Sequence, residues 1–413
     1  MSLFEIGAFL IGLSALFGYI NHRYLRAPHT IGLVLIALAA SLVLLAVESL
    51  VPAANIDTLI TEVLGQIDFH ETLMHGMLSF LLFAGALHVD LGALRQRYRA
   101  IGLMATGGTL ISTFFIATAT WLLADLAGHS IPFVWTLVFG ALISPTDPVA
   151  VLSLFKTVQV PQTLKATLAG ESLFNDGMGV VVFTVILGVA MQAGDPGLLH
   201  IAELFVVEIL GGALLGLAAG YAGYRAMHLL DEPNLEVLIT LAIVMVSYSV
   251  AIRLHASGPI AMVVAGLFIG NKGMKYAVSE RSRDYLQKFW TLLDEILNSV
   301  LFLLIGLEVL IIARTGFDYW MGVLVIPVAL IGRWLSVYLS VSAMRPWETF
   351  IKGAVPVLTW GGLRGGIAVA LALSLPASEF RPFILNITYI VVLFSIIVQG
   401  LTVTRLIRRV VPA

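Results

Sequence analysis

Apolar runs about 17–25 residues long, each the length a helix needs to cross a bilayer's hydrocarbon core, follow one another along almost the whole chain. Thirteen such runs are present, at approximately 3–21, 29–52, 70–89, 100–127, 131–155, 166–192, 198–224, 234–252, 257–270, 289–312, 318–342, 353–375 and 382–404. No single aqueous core could hide them. Composition agrees: 59% of residues are hydrophobic and 12% charged, against about a quarter charged in soluble domains. The expected class is an all-α polytopic membrane protein, because only helices and closed barrels satisfy their backbone groups in lipid. The ninth run is short and can pair with the eighth as a hairpin. A net charge of −2 argues against a nucleic-acid partner. The absence of cysteine removes thiol chemistry, disulfides and cysteine-ligated metals. The first run has neither a basic segment before it nor a small-residue cleavage site after it, so it reads as a retained span.

Basic residues test the segmentation, since they gather in cytoplasmic loops. Alternate loops hold Arg23 and Arg26; Arg95, Arg97 and Arg99; Lys156 and Lys165; Arg225; Lys272, Lys275, Arg281, Arg283 and Lys288; Arg345 and Lys352; and Arg405, Arg408 and Arg409. The opposite loops hold only Arg253, Arg314 and Arg381, while Arg333 and Arg364 fall inside spans. The N-terminus is therefore expected outside and the C-terminus in the cytoplasm. The connection 271–288 reads as a charged linker joining two halves. Thirteen spans divide into one extra N-terminal helix and two sets of six. Each set contains a span with a disrupted middle, at Ser144–Pro148 and Gly361–Gly366. Paired interrupted helices are the mark of inverted-repeat transporters, whose binding site lies where the two cross at mid-membrane.

Three polar stretches carry the chemistry. In Ser144-Pro145-Thr146-Asp147-Pro148 each proline lacks an N–H and disfavours helix at the residue before it. The carbonyls of Ala141 and Ser144 lose their helical donors, and freed carbonyls beside Asp147 suit a hard cation. A simple proline kink with Asp147 capping the next turn accounts for the same residues. In Gly170-Glu171-Ser172-Leu173-Phe174-Asn175-Asp176, two acids stand within a span, at roughly 2.5–3.5 kcal/mol each for a charge at the helix centre. Ser172 and Asp176 share one stripe, and Glu171 and Asn175 the next. Glu171 and Asp176 are about 140° apart around the axis; two carboxylates so placed cannot easily face one ion, and two roles are implied. In Gly361-Gly362-Leu363-Arg364-Gly365-Gly366, four glycines surround an arginine that needs a fixed anion in the membrane. Glu171 is the economical partner for Arg364. Glu308 and Arg333 read as interfacial anchors, and Glu203 and Glu208 as a wet face. His70, Glu71 and His75 miss the i, i+4 spacing of a zinc-protease helix. No nucleophile elbow, phosphate-binding glycine loop or ATP-site lysine motif occurs, so an enzyme is not expected.

These three stretches, in this order, resemble the monovalent cation/proton antiporter-1 family, the NhaP-type sodium/proton antiporters. Leu81-Leu82-Phe83-Ala84-Gly85-Ala86-Leu87-His88-Val89-Asp90 and Leu297-Asn298-Ser299-Val300-Leu301-Phe302 with its following Gly-Leu-Glu resemble further patterns of that family. The resemblance implies a thirteen-helix inverted-repeat fold in a homodimer. It also implies a scaffold and dimerisation domain (1–99 and 193–312) beside a mobile core domain (100–192 and 313–413). Carried onto this chain, the cation and proton ligands fall on the Thr146 carbonyl, Asp147, Ser172 and Asp176, with Asn175 in support, and a structural ion pair on Glu171 and Arg364. Ala84 stands where many relatives carry an acid. No cofactor is expected beyond the transported sodium, lithium or other monovalent cation and the proton.

The expected mechanism has Asp176 holding either a proton or a dehydrated cation, exposed to each side in turn. Asn175 holds no proton, so the Asn-Asp pair offers one titrating group and favours one cation per proton with no net charge moved; whether Asp147 shares the proton is left open by the sequence. The rival from another class is a cation channel or a regulatory membrane subunit. The expected location is the plasma membrane.

Overall fold

The computed structural model describes residues 3–50, 76–147, 151, 160–191, 197–312 and 319–411. The helices used below are α1 (Leu3–Ile20), α2 (His29–Leu50) and α3 (Leu78–Leu87), then α4 (Tyr98–Leu126). They continue with α5 (Phe133–Ile143), α6 (Gln162–Met191), α7 (Leu198–His228), α8 (Pro233–Arg253), α9 (Gly258–Phe268) and α10 (Glu280–Leu307). The chain closes with α11 (Tyr319–Met344), α12 (Ala354–Trp360), α13 (Gly366–Leu373) and α14 (Arg381–Val410).

Among the described residues nine helices are long and apolar enough to cross a membrane, and α3 and α5 are shorter apolar helices. The thirteen expected runs are thinned in identifiable places. Part of the third lies outside the described residues, as do His70, Glu71 and His75. The fifth is cut after α5, the ninth is the short α9, and the twelfth is split into α12 and α13. Both cuts fall where proline or clustered glycine weakens the helix.

The expected linker at 271–288 is a correction. Ser279 accepts a hydrogen bond from the Ser282 N–H at 3.3 Å and caps α10, which begins at Glu280. Helix thus replaces most of the linker, because a hydroxyl at the N-cap satisfies one of the orphan donors of the first turn.

The helices pack as two neighbourhoods. Helices α3, α7, α8 and α9 pack on one another, and α10 packs on α1, α2, α3 and α8. In the other set, α4 packs on α5 and α11, α6 on α5, and α14 on α11, α12 and α13. Helices α6 and α10 reach across, touching α9 and α13 respectively.

Glu308 corrects another expectation. It caps the end of α10 and is 1% exposed; neither carboxylate oxygen has a hydrogen-bond partner among the described residues. It is therefore not an interfacial anchor. Gly306 sets this depth: a side chain there would run into Ala37 and the Val34 carbonyl of α2, so the helix end is pulled against its neighbour. Replacing an unsatisfied buried polar group by an apolar one of similar shape removes a desolvation penalty of about 1–3 kcal/mol. Glu308→Met is expected to raise the melting temperature in detergent; a fall would show that the carboxylate has a partner in the folded protein.

Candidate functional site

Where α5 ends, the chain leaves the helix after Ser144 and is non-helical to Asp147, and where α12 ends it is non-helical from Gly361 to Gly365 before α13. These two breaks meet. Asp147 donates its N–H to the Leu363 carbonyl at 2.8 Å, in an antiparallel bridge between the two interrupted spans. Unwound backbone at membrane depth is tolerated only when every freed group finds a partner in protein or in a wet cavity, and here the partners are specific side chains.

On the first break, the Thr146 N–H donates to Asn175 Oδ1 at 3.3 Å, and Asn175 Nδ2 donates to Thr146 Oγ1 at 2.9 Å. The Ser172 hydroxyl donates to the Thr146 carbonyl. Asn175 and Ser172 lie three residues apart on α6, so a single helix face reads both ends of Thr146. Arg364 donates from Nη1 to the carbonyls of Ser144 and, at 3.0 Å, of Pro145. On the second break, the Arg364 N–H donates to Ser395 Oγ at 2.8 Å, Ser395 in turn to Gln399 Oε1 at 2.6 Å, and Gln399 Nε2 to the Trp360 carbonyl at 3.2 Å. Ser395 and Gln399 lie on a widened π turn within α14, a local distortion frequent at functional sites.

Two expectations are corrected by these contacts. The first is the ion pair. Glu171 does not pair with Arg364; it pairs with Arg333 of α11 through both guanidinium nitrogens, Nη2 reaching Oε2 at 2.8 Å. Arg333 also donates to the Leu358 carbonyl at the end of α12, at 2.9 Å from Nη2. Arg333 is therefore not an anchor at a span's end: it lies fourteen residues after Tyr319 and eleven before Met344, and the side chains of Arg333 and Glu171 are 5% and 1% exposed. The second correction concerns the freed carbonyls: that of Ser144 accepts from the Arg364 guanidinium, whose positive charge beside it disfavours a cation there. The physical reason is the crossing itself. It brings Arg364 to the carbonyl end of α5, where partial negative charge accumulates, while Glu171 faces α11. The Arg364 Nη2 has no hydrogen-bond partner among the described residues, and a small cavity lined by Arg333, Gly362, Arg364 and Gln399 adjoins it.

The remaining expected residues come together. Ser172 and Asn175 hold Thr146 beside the bridge made by Asp147, and Asp176 follows on α6, 8% exposed. Asp147 and Glu171 are the carboxylates within electrostatic reach of Asp176. The set combines two carboxylates, one hydroxyl and one carbonyl, the hard oxygen donors a small cation prefers. Among the described residues no group of three or more His, Asp or Glu could hold a metal ion. Sequence reasoning missed Arg333, Ser395 and Gln399. A mid-helix arginine was the available signal for the first; the other two carry none.

Glycines allow the close approach. A Cβ on Gly365 would collide with the Asp147 carboxylate, and one on Gly179 with the ring of Pro145. Gly365→Ala is expected to displace Asp147 and weaken apparent cation affinity severalfold; unchanged affinity in a transport assay would show that Asp147 is not a ligand.

Comparison with known proteins gives the family. The family described as sodium/hydrogen exchanger, transmembrane, matches residues 12–409. The Na(+)/H(+) antiporter NhaP of Pseudomonas aeruginosa is 45% identical over 411 residues, covering 98% of this chain and 96% of its own length. The Na(+)/H(+) antiporter NhaH of Halobacillus dabanensis is 36% identical, covering 94% of this chain and 93% of its own. Among solved structures, the sodium proton antiporter MjNhaP1 from Methanocaldococcus jannaschii at pH 8 superposes with a TM-score of 0.78 at 19% identity, covering 99% of both chains. That likeness bears on the fold. With its apolar helices and crossed interrupted spans, the chain is an integral membrane protein of the sodium/hydrogen exchanger family.

Proposed function

We propose that this protein is a secondary antiporter, not an enzyme, exchanging a monovalent cation for protons at the crossing of its two interrupted spans. The observation that carries the reading is the bridge from Asp147 to Leu363, because it sets Asp147, Thr146, Ser172 and Asp176 beside two helix breaks. The cation is held by the Asp147 and Asp176 carboxylates, the Ser172 hydroxyl and the Thr146 carbonyl, with Asn175 fixing Thr146. A proton on Asp176 removes the charge the cation needs, so the two occupy the site in turn. With one such group, exchange is one for one and moves no net charge. The set α4, α5, α6, α11 to α14 acts as the moving core, and the set holding α1 to α3 and α7 to α10 as the scaffold that pairs two copies. The N-terminus lies outside and the C-terminus in the cytoplasm of the plasma membrane, from the placement of basic loops.

A channel needs a continuous pore with repeated weak sites, whereas these acids cluster at one crossing. Purified protein in liposomes decides between them. Antiport predicts a sodium- or lithium-driven pH change that persists with the membrane potential clamped. A flux driven by potential alone, without ion gradients, would refute one-for-one exchange.

A further inference from the structure

Helix α10 carries a polar stripe that the exchange site leaves unused. Gln287, Thr291, Asp294 and Asn298 recur at intervals of three and four residues, so they share one face. Asp294 is half-buried and Glu295 exposed, five and six residues into the apolar run 289–312. A carboxylate at such depth faces the protein interior or a water-filled cavity, not lipid.

The packing identifies what Asp294 faces. Leu301 lies on the same face, seven residues further on, and fills the space that a Cβ on Gly366 would enter. The adjoining Gly365 lies against the Asp147 carboxylate. Asn298, between Leu301 and Asp294, donates from Nδ2 to Asp294 Oδ1 at 3.1 Å and holds that carboxylate in place. Asp294 thus stands two helical turns, about 10 Å along α10, from the Leu301 that packs on the second break, and on the side where α10 begins. It is also within electrostatic reach of Asp147.

We infer that Asp294, held by Asn298, is an entry carboxylate that gathers the transported monovalent cation on the side of the α10 N-terminus and delivers it towards Asp147 and Asp176. Its ligands there are few, one carboxylate and one amide, so the cation keeps most of its water and is not selected. Selection belongs to the crossing, where carbonyl, hydroxyl and carboxylate oxygens replace the hydration shell. The inference rests on the antiport reading, and its action is attraction by fixed charge, which salt screens.

The test uses Asp294→Asn and Asp294→Glu in everted and right-side-out membrane vesicles, with sodium and lithium as probes. Asparagine still accepts the hydrogen bond from Asn298, so the local structure is kept while the charge is lost. Asp294→Asn is expected to weaken apparent sodium affinity roughly three- to tenfold, the size of one charge acting over about 10 Å through a partly wet medium. The loss should appear in everted vesicles, shrink at high ionic strength, leave the sodium-to-lithium preference unchanged, and be reversed by Asp294→Glu. Unchanged affinity, an equal loss on both sides, a loss confined to right-side-out vesicles, or an altered sodium-to-lithium preference would each overturn it. Absence of exchange in the wild type would instead defeat the antiport reading.

Discussion

Asp176→Asn should leave a folded protein whose exchange falls to the level of protein-free liposomes. The substitution keeps side-chain size on a buried face of α6 and removes both the negative charge and the proton-binding oxygen. Ser172 and Asn175, which hold Thr146, are untouched, so the break keeps its geometry. What disappears is the carboxylate to which the proposed mechanism assigns the trade of a cation for a proton, with Asp147 left as the second carboxylate of the set. Exchange is read from the sodium-driven pH change in liposomes, and folding from melting and size-exclusion profiles in detergent. Normal exchange in a well-folded Asp176→Asn protein would end the mechanism proposed here. Loss of fold would mean that Asp176 supports the structure.

The second large effect is structural. Glu171 of α6 and Arg333 of α11 are 162 residues apart in sequence and are buried together. Removing one partner of such a pair leaves an uncompensated buried charge and costs about 3–5 kcal/mol, whereas removing both is often nearly neutral. Glu171→Gln and Arg333→Gln alone should therefore each lower thermal stability strongly, and the double variant should recover a large part of the loss. The recovery is the coupling measured in a double-mutant cycle. Arg364→Gln is the control. Arg364 donates to the Ser144 and Pro145 carbonyls, so combining it with Glu171→Gln should give a smaller coupling than Arg333 gives. Additive losses for Glu171 with Arg333, or stronger coupling with Arg364, would place the ion pair elsewhere.

Much of the site was legible because its signals are local. Two prolines around Thr146 and Asp147, and four glycines around Arg364, break helices wherever the rest of the chain goes, since the missing N–H and the missing Cβ act within a turn. The angle between Glu171 and Asp176 is likewise a property of one helix, and it separated their roles before any partner was known. Apolar length marked the spans for the same reason.

Tertiary structure alone decided the partners. Sequence spacing could not say that Glu171 faces Arg333 on α11 while Arg364 turns to the carbonyl end of α5. Both arginines are chemically fit to pair with Glu171, and the choice depends on which helices are neighbours. Nor could it say that Ser395 and Gln399 close the second break, because a serine and a glutamine in an apolar helix look alike wherever they point. Glu308 was misplaced on the same ground: its distance along the helix suggests an interface, but the contact of Gly306 with α2 buries it. Spans, breaks and the division between two acids therefore follow from interactions within a few residues. The bridge between Asp147 and Leu363, and the donors found for the Ser144, Pro145 and Thr146 carbonyls, follow from helices that meet only after the chain has folded.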